Sequence, residues 1–149
     1  MDLVLLLNEV FAELPALFAD GRSKGPWREH AALAHALLAD DPGAAVEALK
    51  GAIVAGAMPI DLGRALAYAA ALRLAHFGTT NEHSDWETAH HAFTYSNAVH
   101  RALKRIGPDE EGETNSIGAV RGVFHGAMAV YLARYLNVPP APLPEKDGS

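Results

Sequence analysis

The chain contains no cysteine, and this absence excludes several kinds of chemistry. Disulfide bonds, zinc sites built from thiolates, iron–sulfur clusters ligated by this chain and cysteine nucleophiles all require that residue. The absence suits a cytoplasmic protein, and we expect that location.

Basic residues are scarce and long apolar runs are missing. The 149 residues include 12 lysines and arginines against 18 aspartates and glutamates, a formal net charge of −6. Such a balance argues against phosphate-backbone binding, so no nucleic-acid partner is expected. No apolar run reaches the roughly 18 residues of a membrane span, so no membrane association is expected. The apolar residues 3–7 lack the flanks of a signal peptide.

The pattern of caps and helix stops predicts an all-α bundle of about six helices, and no segment reads as a strand. Asp2 and Asp41 are expected caps, Pro26 an expected first-turn residue, and Pro15 should kink or split the first helix. The predicted helices span residues 2–19, 26–39, 42–55, 59–77, 84–106 and 115–136. One domain is expected over residues 1–137, followed by a proline-rich extended tail over residues 138–149.

Two helices have unusual surfaces. The fourth is apolar almost all round and is interrupted only by Arg64, Arg73 and His76, which indicates a central, buried helix. The sixth carries glycines at 118, 122 and 126, four residues apart on one face. Each glycine costs roughly 1 kcal/mol against alanine in a helix, so the stripe indicates that another backbone packs closely there.

The fifth helix carries a second stripe opposite its main apolar face. Trp86, His90, Phe93, Asn97 and His100 recur at spacings of four and three. A purely solvated face seldom carries Trp and Phe, and a purely structural one seldom carries two histidines and an asparagine. The stripe is therefore a ligand cleft, a subunit interface or partly buried surface. In the first case Trp86, Phe93 and His100 would contact a cofactor or ligand.

Histidines are concentrated near this helix, since five of the eight lie between residues 76 and 100. His76, His90 and His125 could meet between the fourth, fifth and sixth helices and hold one zinc or iron ion. Glu87 and His90 form a Glu-x-x-His pair of the kind used in di-iron bundles, but no second pair exists. The alternative to a metal-ligand role is structural. His76 lies in the last predicted turn of its helix, where the helix dipole favours a positive charge.

In the functional reading, His90 and His125 are ligands or general bases that lie close enough to share a ligand, water or metal. Asp85 or Glu87 then orients an imidazole, and His91 or Asn97 is the substitute partner of His125. No glycine-rich phosphate loop and no nucleophile-elbow motif is present.

Several short motifs resemble a known group of proteins. They are Asn81-Glu82, Asp85-Trp86, His90-His91-x-Phe93-Thr94-Tyr95, Asn97-Ala98, Arg121-Gly122-Val123-Phe124-His125-Gly126, Tyr131-Leu132 and Leu136-Asn137-Val138-Pro139-Pro140. Together they resemble a helical domain of bacterial Rieske-associated, questin-oxidase-like proteins. Residues 45–71 are also similar to the helical pairs of the carboxymuconolactone decarboxylase group.

This resemblance implies oxidative chemistry on small organic molecules. It marks, without assigning roles, His76, Asn81, Asp85, His90, His91, Asn97 and His125. Members of the group have a second helical half, so this chain would dimerise to restore it or be a piece of a longer protein. The expected function is a small-molecule-binding, oxidoreductase-related domain with a histidine-rich cleft for one metal ion. The alternative is a non-enzymatic homodimerisation module whose Trp/His and glycine stripes are interfaces.

Overall fold

The computed structural model describes residues 2–24, 26–75, 83–106 and 110–133. The side chains of residues 83–86 and 110–116 are outside this description. It contains six helices: α1 (Leu3–Gly21), α2 (His30–Ala36), α3 (Pro42–Val54), α4 (Pro59–Ala75), α5 (His83–Arg105) and α6 (Glu110–Ala133). No strand occurs among these residues. The prediction of an all-α fold is confirmed.

Aspartate side chains begin three of the helices. Asp2 Oδ1 accepts the backbone N–H of Val4 at 3.0 Å and of Leu5 at 3.1 Å. Asp41 Oδ1 accepts the N–H of Gly43 at 2.9 Å, ahead of a first-turn proline. In α4 the bond runs backwards, because Asp61 Oδ2 accepts the N–H of Met58 at 2.9 Å. Each aspartate satisfies a backbone donor that the first turn would otherwise leave unpaired.

Three helix predictions differ from the structure. Residues 26–29 are not helical, so α2 begins at His30 instead of Pro26; proline suits an extended segment as well as a first turn. The sixth helix begins at Glu110 instead of near residue 115, within an acidic run whose negative charge favours a helix N-terminus. α1 is one continuous helix through Pro15. Pro15 is exposed, so water can satisfy the carbonyl group that lacks its usual donor.

α4 is the central helix, as predicted. It contacts α2, α5 and α6, while α1 packs mainly on α3 and also reaches α6. Six of its residues are buried: Leu62, Gly63, Ala65, Leu66, Ala69 and Ala70. The remaining face is open, since Arg64 and Tyr68 are exposed.

Glycines mark the closest helix crossings. A Cβ at Gly126 of α6 would lie 2.6 Å from Leu66 Cδ2 of α4, and one at Gly122 would lie 3.2 Å from Val99 Cγ2 of α5. Gly118 meets no atom within 4 Å among the described residues. The stripe is in close contact at its other two positions, but the nearest atoms there belong to side chains and not to the backbone that the pattern predicted. Where α1 crosses α3, a Cβ at Gly21 would collide with the backbone carbonyl oxygen of Ile53.

None of the described helices combines the length and apolar character that crossing a membrane requires. The last turn predicted for the fourth helix, the end predicted for the sixth and the tail over residues 138–149 lie outside the described residues.

Candidate functional site

The predicted stripe on α5 faces in several directions. Phe93 is half-buried and packs against the core, and the side chain of Asn97 donates from Nδ2 to the Phe93 carbonyl at 3.2 Å within the same helix. His90 and Glu87 are exposed. Asp85 and Trp86 belong to α5 by their backbone, but their side chains lie outside the described part. The stripe therefore combines core and surface residues, and its described side chains do not line one common cleft.

The described contacts give no support for a site shared by His90 and His125. The face of α5 that meets α6 includes Ala92 and Tyr95, and His90 lies about 160° around the helix from Ala92. His125 is exposed, and its ring centroid lies 5.5 Å from that of Phe11 in α1. A ligand, water or metal shared by the two imidazoles therefore stays a prediction.

A metal site from three histidines is not assembled by the described residues. No three histidine, aspartate or glutamate side chains among them lie close enough together to hold an ion. His76, Asn81 and Glu82 lie outside the described residues, so the ligand role predicted for His76 stays a prediction. Iron or zinc as a cofactor likewise stays a prediction.

His100 is the one member of the stripe with a distinct electrostatic environment. Its backbone packs against α4, where a Cβ at Gly63 would lie 3.2 Å from His100 Cα. Nε2 is buried and has no hydrogen-bond partner among the described residues. Burial lowers the pKa of His100 below its ordinary value, and the positive charges of Lys104 and Arg64 lower it further. A neutral imidazole is therefore favoured at the α4–α5 contact.

A cavity lies at the end of the bundle where α1, α3 and α5 end and α4 begins. Its volume is about 710 Å³. Large apolar side chains from five helices and their connections form much of its wall: Phe18, Trp27, Ile53, Met58, Ile60, Leu103, Ile106 and Ile117. Such a volume and lining are typical of small-molecule sites, which span roughly 300–1,000 Å³.

Polar groups occupy the rim of this cavity. Arg22, Lys24 and Lys104 contribute to the lining, and Asp61 is the single carboxylate among the described lining residues. His30 Nε2 donates to Asp61 Oδ1 at 2.9 Å, linking α2 to α4. The ring of Trp27 lies edge-on to that of His30, with centroids 4.7 Å apart, which fixes the indole at the cavity wall.

No periodic pattern of residues points to this site. Its lining comes from helix ends and from the connections 22–27 and 56–58. Helical periodicity groups residues along one helix and therefore does not identify such a set. Two features of the sequence could have pointed to the cavity. Trp27 is one of only two tryptophans in the chain, and it lies next to the long connection between α1 and α2.

Comparison of the chain with protein-family models, with curated proteins and with solved structures gives no match.

Proposed function

We propose that the chain binds a small, largely apolar organic molecule in the cavity at the end of the bundle. The observation that supports this proposal is a cavity of about 710 Å³ whose wall is mostly apolar. Phe18 and Ile53 form part of this wall and are themselves buried, so they belong to the core as well as to the cavity. A ligand would remove further apolar surface from water against a wall that needs little rearrangement.

Binding of the neutral fluorophore N-phenylnaphthylamine tests this proposal, since its emission rises in apolar surroundings. We expect saturable binding to the wild-type chain. Ile60→Trp places a larger side chain in the cavity wall and should abolish most of the signal. Val4→Trp is the matched control, because Val4 is 69% exposed on α1 and lines neither this cavity nor the groove between α5 and α6, so the substitution should leave binding unchanged. Equal binding by both variants, or none by the wild type, would refute the proposal.

Homodimerisation is a second candidate, favoured by a different observation. A groove of about 500 Å³ lies between α5 and α6, and its lining includes Tyr95 and Leu132. These two side chains are 43% and 48% exposed. Exposed apolar side chains beside a groove are typical of an interface, and here the occupant would be the same face of a second copy.

Sedimentation across a range of concentrations tests the dimer. We expect self-association by the wild type and a monomer for Leu132→Glu, which buries charge in the interface. Val4→Glu is the matched control, since Val4 is 69% exposed on α1 and lies outside the groove. A wild-type chain that stays monomeric at all concentrations would exclude this candidate.

A further inference from the structure

We infer that Met58 is an oxidation site that regulates binding in the cavity at the end of the bundle. A peroxide converts its thioether to the sulfoxide, and the more polar side chain then weakens the binding of an apolar molecule. This inference rests on the proposed function, because it describes the regulation of the same site. Three observations support it: the exposure of Met58, its place in the cavity wall and the way its backbone is held.

Met58 carries the most accessible sulfur among the described residues. Because the chain has no cysteine, its sulfur atoms belong to three methionines, at positions 1, 58 and 128. Met58 is 60% exposed, whereas Met128 of α6 is 4% exposed and belongs to the core. Met1 lies outside the described residues. A dissolved oxidant reaches an exposed thioether first, so Met58 should react well before Met128.

The side chain of Met58 is exposed and also lines the cavity, so it lies where the cavity meets solvent. Its neighbours Ala57, Pro59 and Ile60 belong to the same wall and are apolar. A thioether suits such a wall, because it is apolar and adapts its shape. A sulfoxide adds a polar oxygen, and an apolar ligand would displace water from that oxygen without offering it a hydrogen bond. Oxidation therefore weakens binding.

The backbone of Met58 is held independently of its sulfur. Its N–H donates to Asp61 Oδ2 at 2.9 Å, and its carbonyl accepts the N–H of Asp61 at 2.9 Å. The preceding turn is also fixed, since the Ala57 N–H donates to the Ala52 carbonyl at 2.9 Å and Gly56 adopts a φ of 108°. Oxidation of an exposed side chain on this fixed backbone should change the cavity wall and leave the start of α4 intact.

The modification is a two-electron oxygen transfer. A lone pair of Met58 Sδ attacks one oxygen of hydrogen peroxide, the S–O bond forms and the O–O bond breaks. The departing hydroxide takes the proton from the transferred oxygen, so the peroxide is reduced to water while the thioether is oxidised to the sulfoxide. Methionine sulfoxide reductases reverse the change, with one enzyme for each sulfoxide epimer.

Peroxide treatment followed by peptide mass mapping measures the oxidation of each methionine. After the peroxide is removed, N-phenylnaphthylamine is titrated to obtain its affinity. We expect Met58 to gain oxygen about tenfold faster than Met128. The oxidised chain should bind the fluorophore about tenfold more weakly and unfold at the same temperature as the untreated chain. Treatment with both reductases should restore the affinity.

Two variants assign the effect to this side chain. Met58→Gln imitates the polarity of the sulfoxide and should bind the fluorophore weakly without any oxidant. Met58→Leu is the matched control, since it keeps an apolar side chain of similar volume. It should bind like the untreated wild type and lose no affinity after peroxide treatment. The control retains the other two methionines and both tryptophans, so their oxidation is tested in the same measurement.

The outcomes distinguish the two proposals. If the fluorophore does not bind the wild type, or Ile60→Trp does not weaken binding, the proposed function fails and its regulation fails as well. If the fluorophore binds in the cavity but the oxidised chain and Met58→Gln bind it as tightly as the untreated wild type, only the role of Met58 is refuted. That role is likewise refuted if Met128 is oxidised as fast as Met58, or if peroxide weakens binding by Met58→Leu to the same extent.

Discussion

At the residue scale, Gly21 is the position least able to accept a side chain. It ends α1 against the backbone of α3, and its missing Cβ leaves room for the Ile53 carbonyl. Gly21→Ala should lower the free energy of unfolding by about 2 kcal/mol or more, because backbone must move to relieve the collision. Denaturant titration followed by circular dichroism measures the change.

Gly51→Ala is the control for this substitution. Gly51 lies within α3, is exposed and has no atom within 4 Å of a built Cβ. Alanine there should raise the free energy of unfolding by about 0.5–1 kcal/mol, since it restricts the unfolded chain and favours the helix. A Gly21→Ala variant as stable as the wild type would contradict the close crossing of α1 and α3.

His100 should make stability depend on pH. Its pKa is lowered in the folded chain by burial and by Lys104 and Arg64. Below the ordinary histidine pKa of about 6.5, the unfolded chain therefore binds more protons than the folded one, and the free energy of unfolding falls as pH falls. Above that value both states hold a neutral imidazole, and this contribution to the pH dependence disappears.

Denaturant titrations between pH 7 and pH 5, a range of about two units around the histidine pKa, test this prediction. His100→Gln and His100→Leu should both show a shallower fall in stability than the wild type. One replacement is polar and the other apolar. If both reduce the slope of the free energy of unfolding against pH, the cause is the loss of the titrating imidazole and not a change in polarity. An unchanged slope in both variants would show that His100 does not titrate differently in the folded and unfolded chains.

At the element scale, Arg73 of α4 connects two other helices to the central helix. Its Nε donates to the Val130 carbonyl of α6 at 3.1 Å, and Nη2 donates to the Leu38 carbonyl just after α2 at 3.3 Å. A carbonyl just after a helix lacks an intrahelical donor and attracts positive charge, which applies to Leu38. One guanidinium thus holds α6 and the C-terminal end of α2 on α4.

Loss of these two hydrogen bonds should lower the free energy of unfolding more than loss of an ordinary surface arginine does. Arg73→Met keeps much of the aliphatic length and loses both bonds, so the free energy of unfolding should fall by about 2–3 kcal/mol. In Arg73→Lys the free energy of unfolding should fall by about half as much, because one ammonium group cannot reproduce the planar, forked donor geometry of the guanidinium. Arg101→Met, at an exposed position of α5, should change stability by less than about 0.5 kcal/mol; a similar loss there would contradict the prediction.

Helix existence could be predicted from the sequence because its signals are local. Asp2 and Asp41 each satisfy donors two or three residues ahead, so the sequence identifies both starts. The start of α2 depends on contacts that the sequence does not show. Residues 26–29 form an irregular stretch that reaches the cavity through Pro26 and Trp27, with Trp27 packed against His30. Local propensity therefore fails where tertiary packing decides the conformation.

At the scale of the whole molecule, the candidate site was the least predictable feature. The histidine density near α5 indicated one site, but density along a chain does not bring side chains together in space. His125 contacts α1, and His90 lies on the opposite side of α5 from the α6 contact. The cavity instead depends on how the ends of α1, α3 and α5 meet the start of α4, a relation between distant segments.

The described surroundings of His90 and His125 predict that the two residues act independently. His90→Gln, His125→Gln and the double variant should change the free energy of unfolding additively, within about 0.5 kcal/mol, because His125 contacts Phe11 of α1 whereas His90 lies on the side of α5 away from α6. The same variants, purified without a histidine tag and analysed for iron and zinc, test the metal predicted from the sequence. A coupling well above that limit, or stoichiometric metal lost in either single variant, would show that the two histidines meet in one site. Additive effects together with unchanged metal content in both single variants would show that they do not.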